Sequence, residues 1–417
     1  MKYVILVASV MMQLCLGGAY AWSTFVPKLE DTFHLSVAQT QLIFGCLFGT
    51  FTVAMVVSGR LLDRFGPRMN AIGGGLLFAT GYLVASFSAG RMPLMFLGIS
   101  LLVGVGTGFA YVCPLATCMK WFPARRGLVT GISVAGFGGG AVILSALAEH
   151  LLSGEMPVLT VFRWIGVAYG IVLLAAAAAL RAPNLKTESH AHPALPLRRL
   201  VRDPFFLSLA IGMFSGTFAG MLVIGNLKPM ALDVGIPAIW AAATISAFAI
   251  GNASGRIAWG WFADRIDERI ISIKLLALGI PLALLAWVDS PIAFIAVSFG
   301  VGFAFGACFV IYAAQVASRY GPARVGGIYP VVFLAYGAAA VAGPTLGGWL
   351  YDSISSYGPA IALSCGVVGF GLIGSTLLLR KGRSDSFELA PLSSPALQAE
   401  PQRRDEADAA NPAHHNG

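Results

Sequence analysis

Apolar and polar residues along this chain come in blocks. Long, predominantly apolar runs are separated by short segments that hold most of the charge. A helix rises about 1.5 Å per residue and the hydrocarbon core of a bilayer is about 30 Å thick, so a run of about 20 such residues suffices to cross it. Twelve runs qualify: 3–26, 38–58, 69–89, 92–118, 127–149, 160–180, 205–227, 238–259, 271–288, 291–316, 326–350 and 358–379. Backbone groups in lipid must be satisfied within their own segment, which predicts α-helices. The expected fold class is an all-α membrane protein with twelve transmembrane helices.

The pattern repeats. Gly59-Arg60-Leu61-Leu62-Asp63-Arg64-Phe65-Gly66-Pro67-Arg68 returns as Gly260-Trp261-Phe262-Ala263-Asp264-Arg265-Ile266-Asp267-Glu268-Arg269, and Pro123-Ala124-Arg125-Arg126-Gly127 is answered by Pro322-Ala323-Arg324-Val325-Gly326. Both copies of the first motif follow an apolar run, where a spanning helix meets a charged aqueous face. The motif resembles the loop signature of the Major Facilitator Superfamily of secondary transporters. The resemblance implies two six-helix halves related by pseudo-two-fold symmetry, with a substrate site between them near the bilayer midplane. The expected organisation is an N-terminal bundle at 1–181, a linker at 182–203, a C-terminal bundle at 204–381 and a disordered tail at 382–417. The resemblance also implies a gating role for Asp63, Arg64, Arg68, Asp264, Arg265 and Arg269, whose ion pairs and helix caps break as the halves rock. The second copy lacks a counterpart of Gly66.

Composition agrees with lipid as the solvent: the chain is 57% apolar and 11% charged, with a mean hydropathy of +0.79. The net charge of +8 is distributed by side. Loops on one side hold Arg60, Arg64, Arg68, Lys120, Arg125, Arg126, Arg198, Arg199, Arg265, Arg269, Lys274, Arg319 and Arg324 among others; the other side has Lys28, Arg91, Arg163 and Lys228. The positive-inside rule then places both termini in the cytoplasm of a multi-pass cell-membrane protein. Topology accounts for the positive excess without a nucleic-acid partner. The first run has no signal-peptide cleavage pattern and reads as the first helix. The six cysteines fall within or at the ends of runs at no metal-ligand spacing, and read as core residues. His414 and His415 read as solvated tail residues, and no metal or cofactor is expected.

Trp121-Phe122-Pro123-Ala124-Arg125-Arg126-Gly127, Gly18-Ala19-Tyr20-Ala21-Trp22 and the Gly-Pro-x-x-Gly-Gly-Trp-Leu-Tyr-Asp stretch ending at Asp352 are similar to segments of the oxalate:formate antiporter family and the related monocarboxylate transporters. Glycines at 104, 106 and 108, at 131 and 136, 138, 139 and 140, and at 343, 347 and 348 sit inside apolar runs, where they favour close helix contact over nucleotide binding.

Arg256 stands in an otherwise apolar run, Gly251-Asn252-Ala253-Ser254-Gly255-Arg256. A guanidinium keeps its charge in proteins, so within a membrane it needs an anion, a water-filled cavity or a route to the headgroups. Two placements are open, the central cavity or a side chain snorkelling to the cytoplasmic face. The resemblance implies the first, with Arg256 binding a substrate carboxylate. Where some monocarboxylate transporters carry an aspartate one turn earlier, this chain has Asn252, which argues against a proton relay on the protein. Where oxalate-transporting members carry a lysine in helix eleven, ungapped alignment places Tyr336. Every Asp and Glu falls in a loop, a tail or a span end, so a single buried cation, Arg256, is expected to take a monoanion. Tyr20, Trp22, Tyr111, Tyr312, Tyr329 and Tyr336, in helices one, four, ten and eleven, are candidate cavity residues.

The reading is a secondary transporter, functional as a monomer, of a small carboxylate anion by exchange or proton-linked symport. A carrier of dicarboxylates such as oxalate is the alternative. A drug:proton antiporter lacks the mid-membrane carboxylate it would need, and an enzyme lacks a nucleophile, a metal cluster or a soluble catalytic domain.

Overall fold

A computed structural model of the chain describes residues 1–122, 126–181, 197–263, 265–321 and 324–384. Among these residues there is no β-strand. Twelve long helices traverse the bundle: α1 (Lys2–Thr24), α2 (Val37–Gly59), α3 (Arg64–Ser86), α4 (Met92–Trp121), α5 (Gly131–Ser153), α6 (Val158–Ala179), α7 (Pro204–Asp233), α8 (Ala238–Ala263), α9 (Ile270–Leu284), α10 (Pro291–Tyr320), α11 (Gly327–Ile354) and α12 (Gly358–Lys381). Ten are long and apolar enough to cross a membrane, α9 is a shorter apolar helix, and α8 carries Asn252 and Arg256 in its apolar run. An even number of crossings brings both ends of the bundle to one side, here called the terminal face; the opposite side is the far face. Residues 182–196 of the expected linker and 385–417 of the expected tail lie outside the described residues.

Helix starts follow their local chemistry. Ser36 opens α2 with a reciprocal capping box: its hydroxyl accepts from Gln39 N at 3.2 Å while Ser36 N donates to Gln39 Oε1 at 2.9 Å. Asp203 caps α7 by accepting from Phe205 N at 2.9 Å, and Pro204 occupies the first turn, where no N–H is needed. The helices α2 and α3 are continuous except at Gly66, whose φ of 75° and ψ of 168° break the helix in a region that favours glycine. In the second half Asp267 occupies the matching position, and the chain there leaves helical geometry altogether.

Three crossings depart from α geometry in their interiors. The chain is wound as a 3₁₀ segment over Gly18–Thr24 in α1, as a π segment over Phe96–Val103 in α4, and as a 3₁₀ turn over Ala307–Phe309 in α10. Such departures free backbone groups and commonly mark hinges. Elsewhere the backbones meet closely. A Cβ on Gly140 would lie 2.2 Å from the Leu14 carbonyl oxygen, and one on Gly255 would lie 2.1 Å from the Phe303 carbonyl oxygen, so α5 seats on α1 and α8 on α10 without side chains between them.

Two lysines depart from the sequence expectation. α7 runs on to Asp233, which places Lys228 within the helix and buries it; α9 begins at Ile270, which places Lys274 inside the bundle with no exposed surface. The expectation ended the seventh run at Leu227, before Lys228, and counted Lys274 with the loop charges although it lies inside the run 271–288. Tertiary packing instead accommodates both side chains, through an ion partner for Lys228 and a glycine cradle for Lys274.

Candidate functional site

α8 places Asn252 and Arg256 one turn apart on the face turned toward the N-terminal half. Arg256 is 3% exposed. Its Nε donates to Asn252 Oδ1 at 2.9 Å and its Nη1 donates to the Val134 carbonyl oxygen of α5 at 3.0 Å. The remaining nitrogens of the pair, Arg256 Nη2 and Asn252 Nδ2, are buried without a hydrogen-bond partner. No carboxylate stands against the guanidinium among the described residues. The snorkelling placement is therefore not the one found: the side chain is buried and crosses between the halves.

Aromatic rings enclose this charge. The guanidinium carbon lies 3.9 Å from the Phe309 ring centroid and 5.7 Å from that of Phe137, close enough for cation–π attraction in a desolvated setting. The Tyr111 hydroxyl lies beside the guanidinium, and Tyr329 is within electrostatic reach of both. Tyr20, from the 3₁₀ segment of α1, shares a 3.2 Å hydrogen bond with Tyr336 of α11 across the halves. Tyr20 stacks on Phe48 and Tyr336 on Phe333. Five of the expected residues, Tyr20, Tyr111, Tyr329, Tyr336 and Asn252, are thus gathered around or next to Arg256.

The other two lie elsewhere. Trp22 stacks between Phe44 and Phe162 and spends its Nε1–H on the Thr40 carbonyl oxygen at 3.1 Å, so it packs the N-terminal half and offers no free donor. Tyr312 is buried in the C-terminal half with an unpartnered hydroxyl, and its ring lies 5.8 Å from Lys274 Nζ. Lys274 Nζ donates to Cys308 Sγ at 2.9 Å. The expectation of one buried cation is overturned: Arg256 and Lys274 are both buried, on neighbouring sides of the Ala307–Phe309 turn. Within the sequence the signal for Lys274 was its place just inside the apolar run 271–288.

The two halves are fastened from the level of Arg256 to the far face. Glu149 of α5 and Lys228 of α7 form a 2.6 Å ion pair. Gln41 Nε2 donates to the Gly225 carbonyl oxygen at 2.8 Å. Asp352 of α11 accepts from Val37 N at 3.1 Å and Ala38 N at 2.8 Å, so a carboxylate from one half caps the first turn of α2 in the other. Beside this cap a cavity of about 230 Å³ opens on the far face, lined by Pro27, Glu30, Pro229, Asp233, Tyr351 and Tyr357. Burial, followed by the nearby Asp352 and Asp31 charges, pushes the Glu30 carboxyl up to about 7. A larger cavity of about 460 Å³, between α7 and α12, is lined by apolar groups and lies away from Arg256.

Of the expected gating residues on the terminal face, Arg64, Arg265 and Arg269 make contacts within their own half. Arg64 stacks on its neighbour Phe65, Arg265 donates to the Trp261 carbonyl oxygen at 2.9 Å, and Arg269 pairs with Asp267 at 3.6 Å. Arg68 is exposed. The Asp63 side chain and all of Asp264 fall outside the described residues, as does most of the Trp121–Gly127 motif.

The sequence profile of the Major Facilitator Superfamily matches residues 7–329 and again 209–399, the second match starting within α7 as an internal duplication predicts. The chain is 24% identical over 359 residues to the oxalate:formate antiporter of Oxalobacter formigenes, covering 83% of this chain and 84% of that one. It is 25% identical over 401 residues to monocarboxylate transporter 13 of Bos taurus, covering 94% and 91%. Among solved structures, a bacterial homologue of the human lysosomal transporter Spinster, in an inward-facing and unoccupied conformation, superposes with a TM-score of 0.71 over 92% of this chain and 97% of that one. At 17% identity that likeness shows the fold alone.

Proposed function

The chain belongs to the Major Facilitator Superfamily of transporters, and on that premise we propose that it carries a small monocarboxylate anion across the cell membrane by alternating access. One observation carries the reading: two buried donors, Arg256 Nη2 and Asn252 Nδ2, lie on one turn of α8 without partners, beside a guanidinium with no carboxylate against it. A buried cation left unpaired is costly, and a carboxylate is the group whose two oxygens match adjacent N–H donors. The aromatic walls exclude water and fit a small organic acid. Lys274 spends a donor on Cys308, whereas the unpartnered donors belong to Arg256 and Asn252, so one cation is left to meet the anion and a monoanion is the better match. That oxalate, formate and monocarboxylates appear in the names of relatives supports the class.

By the positive-inside rule the terminal face is cytoplasmic. The Glu149–Lys228 pair and the Asp352 cap then form an outer lock, and this conformation is the one closed to the outside. An anion at Arg256 Nη2 and Asn252 Nδ2 arrives next to the Nη1–Val134 bond, one of the links between the halves.

The test is counterflow in proteoliposomes. Unlabelled lactate, pyruvate, formate, acetate or oxalate is loaded inside, and uptake of the labelled anion is followed at equal pH. Saturable counterflow of a monocarboxylate is expected. Counterflow of oxalate alone would favour the dicarboxylate alternative, and the absence of any anion exchange would defeat the reading.

A further inference from the structure

Lys274 has no place in the anion site as drawn above, yet it has no exposed surface. Its ammonium sits where a side chain on α7 would otherwise be: a Cβ on Gly216 would lie 1.7 Å from Nζ. One of its donors goes to Cys308 Sγ. Tyr312, one turn further along α10, adds a buried hydroxyl with no partner. The titratable groups that face it are Cys308 and Tyr312 of α10. Its other packed neighbours are α7, which presents Gly216 there and carries Lys228 and Asp233 at its far end, and α12, which carries Cys365, Arg380 and Lys381. No carboxylate contacts Nζ among the described residues.

Lysine, unlike arginine, can exist in a protein interior with or without its charge. With a thiol and a phenol as its neighbours, the charge that most changes its surroundings is the anion that arrives at Arg256, across the Ala307–Phe309 turn. We propose that Lys274 is the proton-binding residue of a proton-coupled cycle: it takes up one proton when a carboxylate occupies the Arg256 site and returns it when the carboxylate leaves. Cys308 accepts from the amine and the Tyr312 ring lies beside it. This deepens the monocarboxylate reading and rests on it. Asn252, in place of an aspartate, argues against a proton carrier on α8; the buried Lys274 offers one on α9.

Exchange and net flux separate the roles. A residue that only carries the proton is needed for pH-driven accumulation but not for counterflow, in which the loaded carrier shuttles without releasing its proton. Wild type and Lys274→Met are compared in proteoliposomes with the membrane potential clamped, using labelled pyruvate, and uptake into protein-free vesicles is subtracted. For one proton per monoanion, a pH step of one unit should give wild type an accumulation ratio of about tenfold. Lys274→Met should keep counterflow within about twofold of wild type while its accumulation ratio falls to about one. Lys274→Gln removes the proton site but keeps a polar end in the Gly216 cradle, and should behave alike; it carries the test if Lys274→Met does not assemble. Undiminished pH-driven accumulation in the variants would overturn the proposal, as would loss of counterflow in folded protein or a changed oxalate-to-pyruvate preference with pH coupling intact. Absence of any counterflow in wild type would instead sink the monocarboxylate reading and this proposal with it.

Discussion

Arg256 Nε and Asn252 Oδ1 lie 2.9 Å apart on one face of α8, a bond between residues four positions apart that fixes the plane of the guanidinium before any ligand arrives. The bond uses Nε and leaves Nη2 free, so the edge presented to an anion is Nη2 with Asn252 Nδ2 next to it. An ammonium at this position would keep the charge and lose the fork.

Arg256→Lys is accordingly expected to lower counterflow by at least about tenfold, a change of about 1.4 kcal/mol in binding the anion. Thermal stability in detergent should change little by comparison. Counterflow rates measured at subsaturating anion check this, and normal rates would remove Arg256 from the site.

Glu149→Gln weakens the outer lock. Hydrogen bonds to charged groups contribute about 1.5–3 kcal/mol, so the population open at the far face should rise by roughly tenfold or more. Labelling of a cysteine introduced at Tyr357, buried where it lines the far-face cavity, by a membrane-impermeant maleimide reports that opening. The double variant Glu149→Lys with Lys228→Glu should return labelling toward the wild-type level; if it labels like the single variant, the pair is not a lock.

The Glu30 carboxyl gives the same lock a pH dependence. Its ordinary value is 4.5 and burial in the closed far face raises it to about 7, so the closed state binds the proton more tightly than an open one in which Glu30 meets water. Protonation therefore favours closure most at and below pH 4.5, progressively less between 4.5 and 7, and not at all above about 7. Far-face labelling should rise as external pH is taken from 5 to 8. Glu30→Gln should flatten that rise, and a rise that survives it would assign the effect to another group, such as His34 or His150.

Asp352→Asn keeps one acceptor oxygen for the first turn of α2 and loses the charge that favours a helix N-terminus. A cost of about 1 kcal/mol to the closed state is expected. The readout is again far-face labelling, raised by about fivefold, with little change in Tm; a large drop in Tm with unaltered labelling would make Asp352 a folding residue instead.

The twelve crossings and their duplication were legible because apolar runs and the Gly59–Arg68 and Gly260–Arg269 motifs are local patterns. Arg256 and Asn252 were legible for the same reason: they are four residues apart in an apolar run, and a charge there asks for a partner. Lys274 was not. Its burial depends on Gly216, 58 positions earlier in the chain, and nothing near it in the sequence announces that a helix of the other side of the half will leave room for an ammonium. Lys228 needed Glu149 from the opposite half, a pairing that only assembly creates. The 3₁₀ turn at Ala307–Phe309, whose Cys308 meets Lys274 and whose Phe309 meets Arg256, has no proline to signal it. Trp22 failed as a site residue because a run of neighbouring aromatic positions does not say which ring turns inward.

A Cβ on Gly138 of α5 would lie 2.9 Å from Asn252 Oδ1, the same oxygen that orients Arg256. The carboxamide that aims the guanidinium is therefore also the seat on which the other half rests. In the proposed cycle the cargo and the opposite half meet at two ends of one carboxamide, and no chain of intermediate residues has to carry the message between them.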